Sequence, residues 1–267
     1  MIPLPLLVAT GCFSRIPVRW NDDIDRSLAA RALSAFPLLG ALIGFVVGGI
    51  GWGIGYLTSP LLSAAIIIAL VQFLIGGTHL DGLADTADAW ASIASMKDGR
   101  DRARSLEIMH QADIGPMGVI AIVIALIVQW SALASLPPIW QWVAICYTLA
   151  FSRLTTVWAS HRSIPPARSH GFGALFASCT STMRAGCVTI FTCALFLIIG
   201  SICLPEYRGY LCALLAGSIV VIVLSHLWLR RLIQRLGGVS GDIFGALIEG
   251  SGIFFTILFV LCCPFHL

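Results

Sequence analysis

The sequence predicts an all-α fold, a polytopic integral membrane helical bundle. Hydrophobic residues make up 58% of the 267 positions and charged residues only 11%. The mean hydropathy is +0.94, and runs of about 20 apolar residues, the length needed to cross a bilayer, recur along the chain. Ordinary soluble domains are near half apolar and about a quarter charged. A soluble chain of this length has no way to hide so much apolar surface. Disorder is excluded by the same composition, because disordered chains are apolar-poor and charge-rich. The net charge is only +3; the lipid bilayer is the expected partner, and a nucleic acid is not.

Apolar runs fall at residues 33–57, 61–77, 115–136, 141–160, 186–204, 210–229 and 251–265. They predict about seven transmembrane helices in a single membrane-embedded domain, 1–267. The last run is short, so it either tilts or joins the apolar stretch after Asp242. Met1–Phe13 is too short to span and is expected at the interface.

The links between runs alternate in character. Thr58-Ser59-Pro60 and Pro137-Pro138 are short and uncharged. All but Arg208 of the 16 Lys and Arg, and all but Glu206 of the 13 acids, fall in or beside segments 14–31, 78–114, 153–185 and 230–249. With seven spans those four segments emerge on one side, which the positive-inside rule makes the cytoplasm. The acidic links, and the chemistry they carry, are therefore expected to face the cytoplasm.

Gly40, Gly44, Gly48, Gly51 and Gly55 repeat at helical spacing in the first span. Such small-residue stripes let helices approach closely in lipid, and close packing is the role assigned to them here. The nine cysteines include no CxxC pair; they read as small hydrophobes in apolar runs.

The strongest chemical signal is Gly76-Gly77-Thr78-His79-Leu80-Asp81-Gly82-Leu83-Ala84-Asp85-Thr86-Ala87-Asp88-Ala89. Asp81, Asp85 and Asp88 stand at i, i+4 and i+7, so on a helix they share an arc of ~60°. Like charges at such spacing destabilise an isolated helix. A hard divalent cation offsets that cost, and Mg2+ takes one or two carboxylates plus waters and substrate phosphate oxygens. The alternative is a solvated polar face. Against it, the other flank is apolar (Leu80, Leu83, Ala84, Ala87, Trp90), and no Lys or Arg lies between His79 and Met96. His79 points about 160° away from Asp81 on an ideal helix; helix capping, packing and proton transfer all remain open for it.

Further candidates are Asp242 and Glu249, seven apart and on one face if their segment is helical. Gly237-Gly238 and Gly241 before them allow close backbone approach to a ligand. Arg153 lies inside a run, where ionisable residues mark functional sites unless they snorkel to the interface. Arg15 and Arg168 suit phosphate by type.

The block His79-Leu80-Asp81-Gly82-Leu83-Ala84-Asp85-Thr86-Ala87-Asp88 resembles the signature of the cobalamin synthase, or adenosylcobinamide-GDP ribazoletransferase, family. Other stretches agree in the family's order: Phe13-Ser14-Arg15-Ile16-Pro17, Phe36-Pro37-Leu38-Leu39-Gly40, Leu106-Glu107-Ile108-Met109, Ala167-Arg168 with Gly171-Phe172-Gly173, and Gly237-Gly238-Val239-Ser240-Gly241-Asp242 with Gly245 and Glu249. The resemblance implies a Mg2+-dependent phosphotransferase of late cobalamin (vitamin B12) biosynthesis in the bacterial inner membrane. Its substrates would be adenosylcobinamide-GDP and α-ribazole or the 5′-phosphate of α-ribazole, and GMP would leave. Asp81, Asp85 and Asp88 would hold the metal, with these three and His79 as the catalytic set. Arg15, Arg153, Arg168, Asp242 and Glu249 would bind substrate. The oligomeric state stays open, a homo-oligomer included.

The chain departs from the family pattern after Ile108-Met109. Where a Lys-Asp-Ser-Arg-like run is common, it has His110-Gln111-Ala112-Asp113, so no phosphate role is carried onto residues 110–113. Arg100, Arg102 and Arg104 are candidates to compensate. Intramembrane prenyltransferases also use Asp-rich helices with Mg2+ and are a rival reading. CDP-alcohol phosphotransferases show an Asp-Gly-x-x-Ala-Arg pattern, and here Asp85 stands where that Arg would be. A transporter would place its carboxylates near mid-span.

Overall fold

The computed structural model describes residues 3–19, 23–94, 113–203 and 205–263. Its helices are α1 (Leu4–Phe13), α2 (Arg26–Gly55), α3 (Pro60–Ile75), α4 (Thr78–Ala94), α5 (Pro116–Ala134), α6 (Pro138–Ala159), the short α7 (Phe172–Phe176), α8 (Thr182–Cys203), α9 (Arg208–Leu236) and α10 (Gly241–Cys262), with a 3-10 turn at Pro205–Tyr207. Among the described residues, extended pairing is limited to two isolated bridges, His161 with Thr180 and Pro166 with Val239.

The helix starts follow local chemistry. Asp25 caps α2 by accepting from Leu28 N at 2.6 Å, and Ser59 caps α3 by accepting from Leu62 N at 3.3 Å. Pro60, Pro116 and Pro138 occupy first helical positions, where a missing N–H costs nothing. Every predicted apolar run lies on one of these helices, and the last does join the stretch after Asp242, because α10 begins at Gly241.

Among the described residues, five helices, α2, α5, α8, α9 and α10, are long and apolar enough to cross a membrane; α3 and α4 together make a sixth only as a pair bent by 87°. The count is thus five or six where the apolar runs suggested about seven. The difference is α6, which matches the run at 141–160 but carries Gln141, Thr148, Ser152, Arg153, Thr155 and Thr156. All of these are buried. Surrounded by other helices rather than lipid, α6 has no need of an apolar surface. At the other extreme, α8 buries only Ala185 and Thr192 among its described side chains and is the most peripheral of the long helices.

The tightest packing is between α2 and α6. A Cβ at Gly44 would lie 2.7 Å from Cys146 Cα, and one at Gly48 would lie 3.0 Å from Trp142 Cα. The glycine stripe is a helix-packing seam.

The short links gather at one end of the bundle. There Gln141 Nε2 donates to Pro60 O at 2.9 Å, and Ser63 Oγ donates to Gly51 O at 2.8 Å. The charged links gather at the opposite end. There the chain turns from α3 into α4 through Gly76 and Gly77, both left-handed at φ 75° and 71°, a conformation open to Gly at little cost.

This packing makes a direct prediction. Gly44→Ala forces a backbone contact and should lower thermal stability by about 1–3 kcal/mol. Gly53→Ala lies on the same helix with nothing within 4 Å of its added Cβ, so it should be neutral or stabilising by up to ~1 kcal/mol. Melting curves of the two variants in detergent check this.

Candidate active site

The site begins with two crossings of helix backbones. A Cβ on Gly82 would lie 2.6 Å from Asp242 O, and one on Gly245 would lie 3.0 Å from His79 O. The start of α10 therefore rests directly on α4, with no side chain between them. That crossing sets Asp242 close enough to Asp85 for the two charges to act on each other, alongside Asp81 and Asp88. Four carboxylates from two helices thus share one patch at the charged end of the bundle.

Their surroundings differ. Asp81 is exposed, and Asp85, Asp88 and Asp242 are half-buried. α4 is turned across the end of α3 and carries three aspartates, so it is not itself a spanning segment. Partial burial first, and then the neighbouring Asp81, Asp242 and Asp88 charges, push the Asp85 carboxyl up to about 7. Ser240 caps α10 by accepting from Ile243 N at 3.2 Å, and its hydroxyl donates to Asp242 Oδ2 at 3.2 Å.

Asp88 has a task the helical spacing does not reveal. Its Oδ2 accepts from Gly115 N at 2.7 Å and its Oδ1 from Gly118 N at 2.9 Å. These are unpaired N–H groups at the start of α5, so a side chain on α4 caps a neighbouring helix. Gly115 and Gly118 suit the contact because a Cβ at either would collide with the Asp88 carboxylate. At the far end of α4, the Arg235 guanidinium stacks over the Trp90 ring at 3.8 Å and ties α9 to the same helix.

Two arginines reach this end of the bundle. Arg15 runs against Gly76 in the α3–α4 turn, and its backbone N–H donates to Leu74 O at 2.7 Å. Arg168 follows a segment bound to the approach to α10: Ala167 N donates to Val239 O at 2.8 Å, and Val239 N donates to Pro165 O at 3.0 Å. Gly238 packs on this backbone, and Gly173 of α7 packs on Ser240.

His79, Arg153 and Glu249 lie inside. His79 is buried, its ring edge-on to Phe36 at 6.3 Å, and its Nδ1 has no hydrogen-bond partner among the described residues. Arg153 is 1% exposed and donates to Leu149 O at 3.0 Å and Ser152 Oγ at 3.2 Å, with Phe36 beneath it at 5.4 Å. Glu249 accepts from Gln72 Nε2 and Gln129 Nε2, each at 3.1 Å. Arg153, Glu249, Gln72 and Gln129 line a cavity of about 20 Å³ between α3, α5, α6 and α10, room for about one water. Arg153 and Glu249 therefore join four helices and stand apart from the carboxylate patch. Gln72 and Gln129 were missed in the sequence. Their signal was an amide inside an apolar run, which needs a polar partner in lipid.

Residues 100, 102, 104 and 110–112 lie outside the described residues, so the basic run and most of the family departure are not placed. Among the described residues, no group of three or more His, Cys, Asp or Glu is arranged to hold a metal ion. The carboxylate patch is thus not an all-protein cage. Its hard oxygen donors and mutual repulsion suit a divalent cation held by one or two of them, with waters or ligand oxygens completing the shell.

These features define a multi-pass helical membrane protein with an acidic site at the charged end of its bundle. Residues 5–260 match the family described as Cobalamin-5-phosphate synthase, and the chain belongs to that family. Curated relatives include the adenosylcobinamide-GDP ribazoletransferases of Frankia casuarinae, 32% identical over 93% of this chain and 91% of the relative, and Pseudomonas aeruginosa, 35% identical over 91% and 92%. A third, from Stutzerimonas stutzeri, is 33% identical over 92% and 93%. No solved structure matches the chain.

The patch predicts opposite stability effects for two of its members. Asp88→Ala strands two N–H groups and should destabilise by about 1–2 kcal/mol. Asp85→Asn removes a carboxylate that folding holds above its ordinary range. Folding takes up a proton there, so stability falls as pH rises from the ordinary carboxylate value toward about 7. The Asn variant should accordingly melt higher than wild type at about pH 8, with the gap shrinking as pH falls and closing only below the ordinary carboxylate value, both proteins without metal.

Proposed function

We propose that the chain is an adenosylcobinamide-GDP ribazoletransferase, joining adenosylcobinamide-GDP to α-ribazole or its 5′-phosphate with release of GMP. Family membership makes it a transferase of cobalamin biosynthesis. The observation that carries the site assignment is the carboxylate patch formed where α10 crosses α4, at the same end of the bundle as Arg15 and Arg168.

Asp81 and Asp85 are the residues that would hold a Mg2+ ion in the presence of the substrate diphosphate. When bound, the cation draws charge from the phosphorus and favours departure of GMP. Arg15 and Arg168 neutralise outer phosphate oxygens. A carboxylate of the cluster accepts the proton of the attacking ribose hydroxyl. Asp88 acts at one remove, holding α5 against α4. The site faces the cytoplasm of a bacterial inner membrane, in keeping with the arginines gathered at that end.

The test is GMP release by the purified full-length protein in lipid, measured against Mg2+ concentration. Asp81→Asn should raise the Mg2+ needed for half-maximal rate and lower turnover by about tenfold or more, while the protein stays folded. Arg168→Lys should keep charge but lose the forked geometry and fall between wild type and Arg168→Ala. Wild-type Mg2+ dependence in both Asp81→Asn and Asp85→Asn would remove the metal from this reading. Cysteine labelling should place residues 165–168 and 235–238 inside and residues 58–60 outside.

A further inference from the structure

A large groove lies away from the carboxylate patch. It measures about 600 Å³ and lies between α8 and α9, closed behind by the end of α6. The two walls meet at the end with the short links, where a Cβ on Gly200 of α8 would lie 2.7 Å from Leu211 of α9. At the charged end the groove runs between them.

Its lining is graded along its length. Toward the bundle middle α9 presents Ile219, Ile222 and Val223; toward the charged end it presents His226, Leu227 and Arg230. Across from these stands His161, whose ring nitrogens pair with Ser163 Oγ at 2.8 Å and Thr182 Oγ1 at 3.0 Å. His226 lies within electrostatic reach of both Arg230 and His161. Ile219 to Arg230 is eleven residues, or about 16 Å along a helix. That length matches one leaflet, half of a hydrocarbon core of about 30 Å.

We infer that this groove is a binding site for one anionic phospholipid. An acyl chain lies along Ile219, Ile222 and Val223, and the headgroup phosphate meets Arg230 and the two histidines. Three features argue for that occupant. The walls are helices whose outer faces are apolar and exposed, as for Ile190, Phe191, Val220 and Leu224, so lipid surrounds the opening. The Arg230 guanidinium, with the His226 ring one turn before it, complements a phosphate, and basic pockets at the cytoplasmic ends of helices favour anionic headgroups. The apolar length fits a chain anchored at that depth and exceeds what a free phosphate needs. None of the groove residues belongs to the carboxylate patch, so the site is separate from the proposed chemistry.

The test is native mass spectrometry of the full-length protein released from nanodiscs of phosphatidylcholine with a minor share of phosphatidylglycerol. Wild type should retain one phosphatidylglycerol in preference to phosphatidylcholine. Arg230→Glu, at an exposed position, should reduce that retention by about fivefold or more. Val223→Trp fills the apolar part while leaving the cations in place, and should reduce it similarly. Inorganic phosphate at millimolar concentration should not displace the lipid. Equal retention in wild type and both variants would overturn the inference. So would displacement by inorganic phosphate, or a wild type that shows no preference for the anionic lipid.

Discussion

The architecture of the site depends on one contact, the crossing of α10 over α4 with no side chain between them. Four carboxylates repel when gathered, so something must hold them together. Here backbone does it: Gly82 lies against Asp242 and Gly245 against His79. A Cβ at Gly82 would collide with the Asp242 backbone, and one at Gly245 would sit unusually tight against His79. Partial burial, and then the neighbouring carboxylates, push the Asp85 carboxyl up to about 7. Such crowding is stable only because helix packing elsewhere supports it, and its product is a site that favours a cation.

A second polar layer stabilises the bundle deeper in. Glu249 receives one amide from α3 and another from α5, and Arg153 on α6 shares their cavity. In lipid, unpaired polar groups are expensive, so these residues select one arrangement of four helices over its neighbours. The layer also frees α6 from needing apolarity. A helix carrying Gln, Ser, Thr and Arg sits at the centre because protein, and not lipid, covers its polar side chains.

Much of this was legible in the sequence because its causes are local. Apolar runs, the glycine stripe and the proline and serine starts each act within a few residues. The charge sorting placed the acidic links at one end for a similar reason. The roles that were not legible depend on distant partners. The spacing puts Asp88 on one face with Asp81 and Asp85, yet its two hydrogen bonds go to Gly115 and Gly118, some thirty residues on. Arg153 and Glu249 each read as ligand contacts. Only the packing of α6 against α10 brings both to a closed cavity among Gln72 and Gln129. The apolar run at 61–77 extends through Gly76-Gly77, where the chain instead turns from α3 into α4 with a bend of 87°.

The most direct test of the central claim leaves every carboxylate in place and disturbs only the crossing. Gly82→Ala adds one methyl group against the Asp242 backbone. Mn2+ binding, followed by the loss of its free electron paramagnetic resonance signal, reports on the patch without substrate or turnover. The account predicts that folded Gly82→Ala binds Mn2+ about as weakly as Asp85→Asn, well below wild type. Wild-type Mn2+ binding by a folded Gly82→Ala variant would contradict it, because the carboxylates would then not depend on the crossing for their arrangement.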